Sequence, residues 1–176
     1  MIIPFLPIYL LELGVPKADV ALWSGLVFGI TFLIAGIMAP IWGKIADNKG
    51  KKRMALRAGF GIAVCYVLIG LVTDQYQLLM GRALVGFANG FYPAAMTMVS
   101  LSVDEKQVGR ALGIFQTGLI LGNVIGPFLG GAVESVVGMR PVFYVSGVAV
   151  LIATLAVLFF VKEPKLHACL LYTSPS

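Results

Sequence analysis

Residues 43–53 read GKIADNKGKKR and form a short, strongly basic stretch between two long apolar runs. Lysine and arginine next to a membrane span resist translocation and stay on the cytoplasmic side. The stretch therefore predicts a cytoplasmic loop between two transmembrane helices, and it sets the orientation of both.

The composition extends this prediction to the whole chain. Hydrophobic residues make up 59% of the 176 residues and charged residues 12%, whereas a soluble domain has roughly 45–50% apolar and about 25% charged residues. The thirteen Lys and Arg residues lie mainly at the ends of apolar runs, which is a pattern that sets membrane topology. We expect an integral membrane protein in a lipid bilayer, with no nucleic-acid partner.

Few residues are available for covalent or metal chemistry. The only histidine, His167, lies with Cys169 in the carboxy-terminal tail, and Cys65 lies within an apolar run. These residues fall short of a metal-ligand set, and the sequence has no Gly-x-Ser-x-Gly nucleophile motif. We predict no metal site, no cofactor and no enzymatic activity.

Six apolar runs predict six transmembrane helices. They cover residues 1–13, 20–42, 55–72, 77–100, 107–132 and 141–161. At about 1.5 Å per residue the first run reaches only about 18 Å, which is short of a hydrocarbon core of about 30 Å. We interpret it as the end of a longer helix, so that Met1 would be internal to the full gene product. A short interfacial helix is the alternative.

The distribution of positive charge agrees with this topology. Ten Lys and Arg residues fall on the predicted inner side and two on the outer side, with Arg82 inside a span. We therefore expect residues 43–54, residues 101–106 and the carboxy-terminal end to be cytoplasmic in a multi-pass protein of the plasma or inner membrane.

The chain also resembles itself at an offset of 87 residues. The paired residues are Pro40 with Pro127, Gly43 with Gly130, Asp47 with Glu134 and Arg53 with Arg140. The first set ends at the predicted inner face and the second at the outer face. This opposition predicts an inverted repeat of three plus three helices, and a chance match is the alternative.

The basic stretch is similar to the loop between the second and third helices of major facilitator superfamily transporters, which reads Gly-x-Leu-Ala-Asp-Arg-x-Gly-Arg-Lys. The identical residues are Gly43, Ala46, Asp47, Gly50 and Lys52. Ile45 stands for Leu and Lys51 for Arg, while Asn48 replaces the first Arg of the motif. The resemblance implies a conformational gate, in which Asp47 would pair with Arg110 or cap a neighbouring helix. The alternative is a basic turn that only anchors the topology.

The run 122–131, GNVIGPFLGG, resembles the fifth-helix motif of drug/proton antiporters in the same superfamily, Gly-x-x-x-Gly-Pro-x-x-Gly-Gly. The motif residues are Gly122, Gly126, Pro127, Gly130 and Gly131. Together with Gly118, glycines recur at every fourth position and predict a small-residue face that another helix can approach closely. The resemblance implies a packing and gating element, and simple tight packing is the alternative.

Arg82 lies in residues 79–90, which resemble the fourth-helix motif of the superfamily, whose Arg is associated with proton coupling. An ionised Arg inside a span costs at least about 2.5 kcal/mol on insertion scales, so it should face a cavity or a partner. The alternative is an Arg that reaches the headgroups. Glu12, on the first helix, is the second candidate for proton coupling.

Four polar or amphipathic side chains fall at mid-span depth, and we predict that they line a substrate cavity. They are Asn89, Tyr92, Gln116 and Asn123. Each alone is more often part of an interhelical hydrogen bond than a ligand-binding group.

The sequence therefore predicts an all-α membrane protein in which residues 1–165 form the amino-terminal six-helix half of a transporter. Residues 166–176 are interpreted as a non-native tail. The resemblance implies proton-coupled efflux of small amphipathic drugs, with a missing carboxy-terminal six-helix half as partner. The alternatives are a sugar or metabolite exporter of the same superfamily and, more distantly, a non-transporting scaffold.

Overall fold

The computed structural model describes residues 5–161, and this part is almost entirely helical. In chain order the helices are α1 (Leu6–Glu12), α2 (Val20–Lys49), α3 (Lys51–Gly70), α4 (Gln75–Ala88), α5 (Phe91–Leu101), α6 (Val108–Val137) and α7 (Met139–Phe160). A short 3₁₀ turn, Glu105–Gln107, precedes α6. The described residues contain no β-strand, so the predicted all-α fold is confirmed.

Five segments in the described part are long and apolar enough to cross a membrane. They are α2, α3, α6, α7 and the segment Gln75–Leu101, which contains α4 and α5. The first predicted span is represented by the seven-residue α1, since residues 1–4 lie outside the described range. The predicted tail, residues 166–176, also lies outside it, and the inverted repeat stays a prediction.

The basic stretch is helical rather than a loop, which corrects the expectation for residues 43–54. Helix α2 continues through Lys49 and α3 begins at Lys51, so Gly50 alone separates them. Gly50 has a φ of 96°, a conformation that glycine adopts without the steric cost of a side chain. Lysines do not end a helix, and this glycine does. Gly138, with a φ of 86°, joins α6 to α7 in the same way.

The predicted fourth span, residues 77–100, is interrupted in its middle. Helix α4 ends at Ala88, Asn89 is extended with φ −63° and ψ 134°, and α5 begins at Phe91. Pro93 explains the position of this interruption. It has no N–H to donate to the carbonyl of Asn89, and its ring would clash with that carbonyl in a continuous helix.

Helix α3 is the centre of the packing, since it contacts α4, α5 and α7, while α2 packs against α4. Glycines let these helices approach closely. A side chain at Gly59 would collide with Thr154 of α7, and one at Gly86 would lie 2.5 Å from the Thr31 carbonyl oxygen of α2. Such small residues at helix contacts are typical of membrane proteins.

The best-buried cluster lies at the end of the bundle where α1, α3 and α7 meet. The hydroxyl of Tyr9 donates to the Ile69 carbonyl oxygen at 3.1 Å, and its ring lies 4.8 Å from that of Phe143. Helix α6 is attached less extensively, through α5 and α7. Long apolar faces of α2 and α6 are exposed in this chain, including Leu33 and Ile37 on α2 and Ile120 and Val124 on α6.

Candidate functional site

A cavity of about 410 Å³ lies where the α4–α5 interruption faces the second half of α2 and the start of α3. Asn89 and Tyr92, two of the predicted cavity residues, line it together with Trp42 and Thr97. Non-helical backbone at membrane depth is tolerated where it lines a cavity or is buried in protein. The interruption of the fourth span and the cavity are therefore parts of one feature.

The other two predicted cavity residues lie on α6 and behave differently from each other. Gln116 Nε2 donates to the Tyr92 hydroxyl at 2.9 Å, and Phe115 stacks on the Tyr92 ring at a centroid distance of 6.0 Å. Gln116 thus supports a cavity residue from the neighbouring helix. Asn123 is exposed, two turns further along α6, and does not line the cavity.

Trp42 and Arg57 also belong to this region, although sequence reasoning did not select them for it. The Trp42 indole N–H donates to the Phe87 carbonyl oxygen at 2.8 Å. The Arg57 guanidinium carbon lies 3.6 Å from the centroid of the Trp42 ring, which is cation–π geometry. Two features of the sequence could have indicated them: Trp42 directly precedes the gate motif, and Arg57 is a cation inside an apolar run.

The gate residues line the mouth of the same cavity. Gly43, Asp47 and Lys51 are among its lining residues, and Lys51 Nζ lies 3.6 Å from Asp47 Oδ1. This pair spans the Gly50 corner. The Asp47 side chain is 70% exposed and that of Lys51 15%, so the pair contributes well under about 1 kcal/mol to folding.

Lys52 and Arg110 lie outside that pair. Lys52 Nζ donates to the Leu158 carbonyl oxygen in the last turn of α7 at 2.8 Å, where a positive charge is favourable against the helix dipole. Arg110 is exposed, and the ion pairs within residues 5–161 do not include it. The predicted Asp47–Arg110 contact is therefore absent from this conformation, and its existence in another conformation stays a prediction.

Arg82 is buried inside the helix bundle, with 7% of its surface exposed. Its Nε and Nη2 atoms have no hydrogen-bond partner among the described residues, and its own backbone oxygen accepts from Thr31 Oγ1 of α2 at 3.2 Å. The guanidinium is thus enclosed among the helices, and its role in proton coupling stays a prediction. Glu12 is exposed at the end of α1 and forms no ion pair with Arg82.

The glycine motif of α6 is divided along the helix. Gly126 and Gly130 are buried, and a side chain at Gly131 would contact the ring of Phe5 at 3.5 Å. Side chains at Gly118 and Gly122 would meet no atom within 4 Å. Helix α6 continues through Pro127. One half of the small-residue face is therefore packed within this chain, and the other half is open.

Within residues 5–161, no three His, Cys, Asp or Glu side chains are grouped so that they could hold a metal ion. The polar groups of the cavity are a carboxylate paired with an ammonium, an amide and hydroxyls beside aromatic rings. Such a lining can hold a small amphipathic molecule by apolar contact and a few hydrogen bonds.

Comparison with known proteins agrees with this architecture. The profile of the Major Facilitator Superfamily matches residues 1–171, so the predicted boundary after residue 165 stays a prediction. Multidrug resistance protein MdtG of Proteus mirabilis is 44% identical over 164 residues, which are 93% of this chain and 41% of that protein. The proteins of the same name from Dickeya zeae and Citrobacter koseri are 41% and 42% identical, again over 93% of this chain and 40% of theirs.

The chain thus spans about two fifths of the length of the curated relatives that it matches. Within residues 5–161 the structure describes five segments that are long and apolar enough to cross a membrane. With the profile covering nearly its whole length, the chain belongs to the Major Facilitator Superfamily, a family of membrane transporters.

Proposed function

We propose that this chain is the amino-terminal half of a proton-coupled exporter of amphipathic drugs. The observation that carries the proposal is the 44% identity, over 93% of the chain, to a protein named for multidrug resistance. The glycine motif of residues 122–131 points the same way, because it resembles the drug/proton antiporter branch. The proposal extends to the whole protein, of which this chain would supply one of two helix bundles.

In this proposal the cavity beside the α4–α5 interruption holds part of the substrate. Trp42 and Tyr92 offer aromatic surface, and Asn89 and Thr97 offer hydrogen bonds. Gln116 fixes the Tyr92 hydroxyl from α6, while Asn123 would contact substrate only from a region that the other bundle completes. Rocking of the two bundles would expose the cavity to each side of the membrane in turn.

Residues of the α2–α3 corner would form the cytoplasmic gate. The mouth of the cavity is lined by Gly43, Asp47 and Lys51, and Gly50 forms the corner between α2 and α3. Lys52 connects this corner to the end of α7 by a hydrogen bond. Tilting α2 changes the surroundings of Asp47. Its carboxylate can exchange Lys51 for another cation, because the pair is weak and the Asp47 side chain is largely exposed. Arg110 would be that cation in the alternative conformation.

Proton coupling would centre on Arg82. A buried guanidinium with two unpartnered nitrogen atoms needs an anion, since an uncompensated charge inside a membrane protein is costly. Glu12 or a carboxylate of the other half would supply this anion at one stage of the cycle. Protonation of that carboxylate would release Arg82, so that proton entry is linked to the change of conformation.

The same proposal covers location and partners. The basic corner and residues 101–106 would face the cytoplasm of a cell whose plasma or inner membrane holds the protein. The exposed apolar faces of α2 and α6, and the open Gly118 and Gly122 positions, would be covered by the carboxy-terminal bundle. The motif residues Gly126, Pro127, Gly130 and Gly131 would keep α6 close to the first helix.

The proposal is tested with the full gene product in inside-out membrane vesicles. We expect uptake of a fluorescent amphipathic drug when an inward-acid proton gradient is imposed, and loss of uptake when a protonophore is added. Arg82→Leu should abolish gradient-driven uptake although the protein is expressed at the normal level. Arg110→Leu should leave insertion into the membrane unchanged. Gradient-driven transport of a sugar or metabolite without any drug transport would refute drug export and favour the alternative.

A further inference from the structure

The interruption between α4 and α5 leaves backbone acceptors that a continuous helix would satisfy. In an unbroken helix the carbonyl oxygens of Phe87, Ala88 and Asn89 would accept from the residues four positions later. Pro93 removes the last of these donors, and the extended Asn89 separates the first two from theirs. A freed carbonyl at membrane depth is costly unless another donor reaches it.

Trp42 supplies such a donor from α2. Its indole N–H lies 2.8 Å from the Phe87 carbonyl oxygen, and its ring meets that of Phe87 edge to face at a centroid distance of 5.3 Å. Both contacts act on the last turn of α4. The end of α4 is therefore attached to α2 by one side chain, immediately before the chain turns into the cavity.

Arg57 fixes the other side of Trp42. Its guanidinium carbon lies 3.6 Å from the indole centroid, and its Nη2 atom would lie 3.7 Å from a side chain placed at Gly90. Nε and Nη2 are buried without a hydrogen-bond partner among the described residues. The Trp42 ring therefore holds the Arg57 guanidinium in place. Cation–π attraction is strongest when the cation is desolvated.

We propose that Trp42 and Arg57 are positioning residues, which hold the α4–α5 interruption in the shape that presents Asn89 and Tyr92 to the cavity. The inference rests on the proposed function in treating this cavity as the transport cavity. Trp42 holds the end of α4 by its N–H, and Arg57 holds Trp42 by stacking. Loss of either side chain lets the backbone between α4 and α5 move, so Asn89 and Tyr92 lose their fixed positions at the cavity.

The first experiment measures how accessible residue 89, in the α4–α5 interruption, is to a labelling reagent. It does not require transport activity. In the full gene product in lipid nanodiscs, with Cys65 replaced by alanine and every other cysteine by serine, Asn89→Cys is labelled with a water-soluble maleimide. Trp42→Phe, which keeps an aromatic ring but has no N–H, should raise the labelling rate roughly three- to tenfold, as expected for the net loss of one hydrogen bond to a backbone carbonyl. Arg57→Leu should raise it similarly, and Arg57→Lys should restore most of the original rate.

Trp23→Phe is the matched control, because Trp23 lies on the same helix and meets Tyr76 edge to face at a centroid distance of 5.1 Å. Its labelling rate should stay within about twofold of the background. Equal rates for Trp42→Phe and Trp23→Phe would overturn the inference. Arg57→Lys keeps the positive charge, so a variant that behaves like Arg57→Leu would overturn the role of cation–π attraction to the Trp42 ring.

The second experiment separates positioning from general loss of structure. In drug uptake by the full gene product, Trp42→Phe should raise the KM for the drug at least threefold with little change in maximal rate. An unchanged KM would overturn the positioning role even if labelling at residue 89 becomes faster. A protein that shows the expected labelling but no drug uptake under any condition would refute the proposed function and leave the attachment of the interruption standing.

Discussion

Replacing Gly86 by alanine should separate α2 from α4, because there is no space for a methyl group at their contact. The new Cβ would lie 2.5 Å from the Thr31 carbonyl oxygen and 3.2 Å from Ile34 Cβ. Ordinary van der Waals contact begins at 3.4 Å, so the helices must move apart by about 0.9 Å. The nearer atom belongs to the backbone of a long helix and cannot move aside by a rotamer change.

Two opposing terms set the size of the effect. Overpacking of this kind costs typically about 1–3 kcal/mol, whereas exchanging glycine for alanine inside a helix gains roughly 0.5–1 kcal/mol. We expect a net loss of about 1–2 kcal/mol in the free energy of unfolding. For a chain of this length that loss lowers the Tm by about 2–8 °C.

Gly122→Ala is the matched control, since the same exchange in α6 meets no atom within 4 Å. It should leave the Tm unchanged or raise it by about 1–4 °C, through the helix propensity of alanine alone. Both variants of this chain are purified in one detergent, and unfolding is followed by circular dichroism during heating. Equal Tm values for Gly86→Ala and Gly122→Ala would refute the close contact of α2 with α4.

Three further changes test other contacts. Tyr9→Phe removes the buried hydrogen bond to the Ile69 carbonyl and should lower stability by about 1–3 kcal/mol, and an unchanged Tm would count against that bond. Asp47→Asn breaks the i,i+4 pair of the exposed Asp47 carboxylate with Lys51 and should alter stability by less than about 0.5 kcal/mol while strongly reducing drug uptake. Normal uptake would exclude Asp47 from the gate. Lys52→Met removes the bond to α7 and should cost about 1 kcal/mol, which thermal unfolding measures. Lys44→Met, at an exposed position before the last turn of α2, is the control.

The membrane architecture could be predicted because hydropathy and backbone chemistry leave little choice. A chain with apolar runs of this length must bond its backbone within helices, and the helices indeed occupy those runs. Their ends were predicted less well. The charged residues 43–49 were expected to form a loop, yet charged residues form helices readily, and only Gly50 supplies the required corner.

The interruption of the fourth span could not be predicted from Pro93 alone. Pro40 and Pro127 lie inside helices that continue through them, so a proline does not by itself decide between a tolerated irregularity and a break. The difference lies in tertiary contacts, since Trp42 reaches the end of α4. For the same reason Asn89 and Tyr92 could be selected as polar residues at mid-span, whereas Trp42 and Arg57 could not be assigned to the cavity.

The single-residue corner at Gly50 also has a mechanical consequence. Helix α2 has 30 residues and is therefore roughly 45 Å long at about 1.5 Å per residue. With no slack between α2 and α3, a tilt of about 5° at the corner displaces the far end of α2 by roughly 4 Å over that length. A rotation about this one glycine would therefore move the distant end of α2 together with α3, whereas a longer, looser connection would let the two helices move independently.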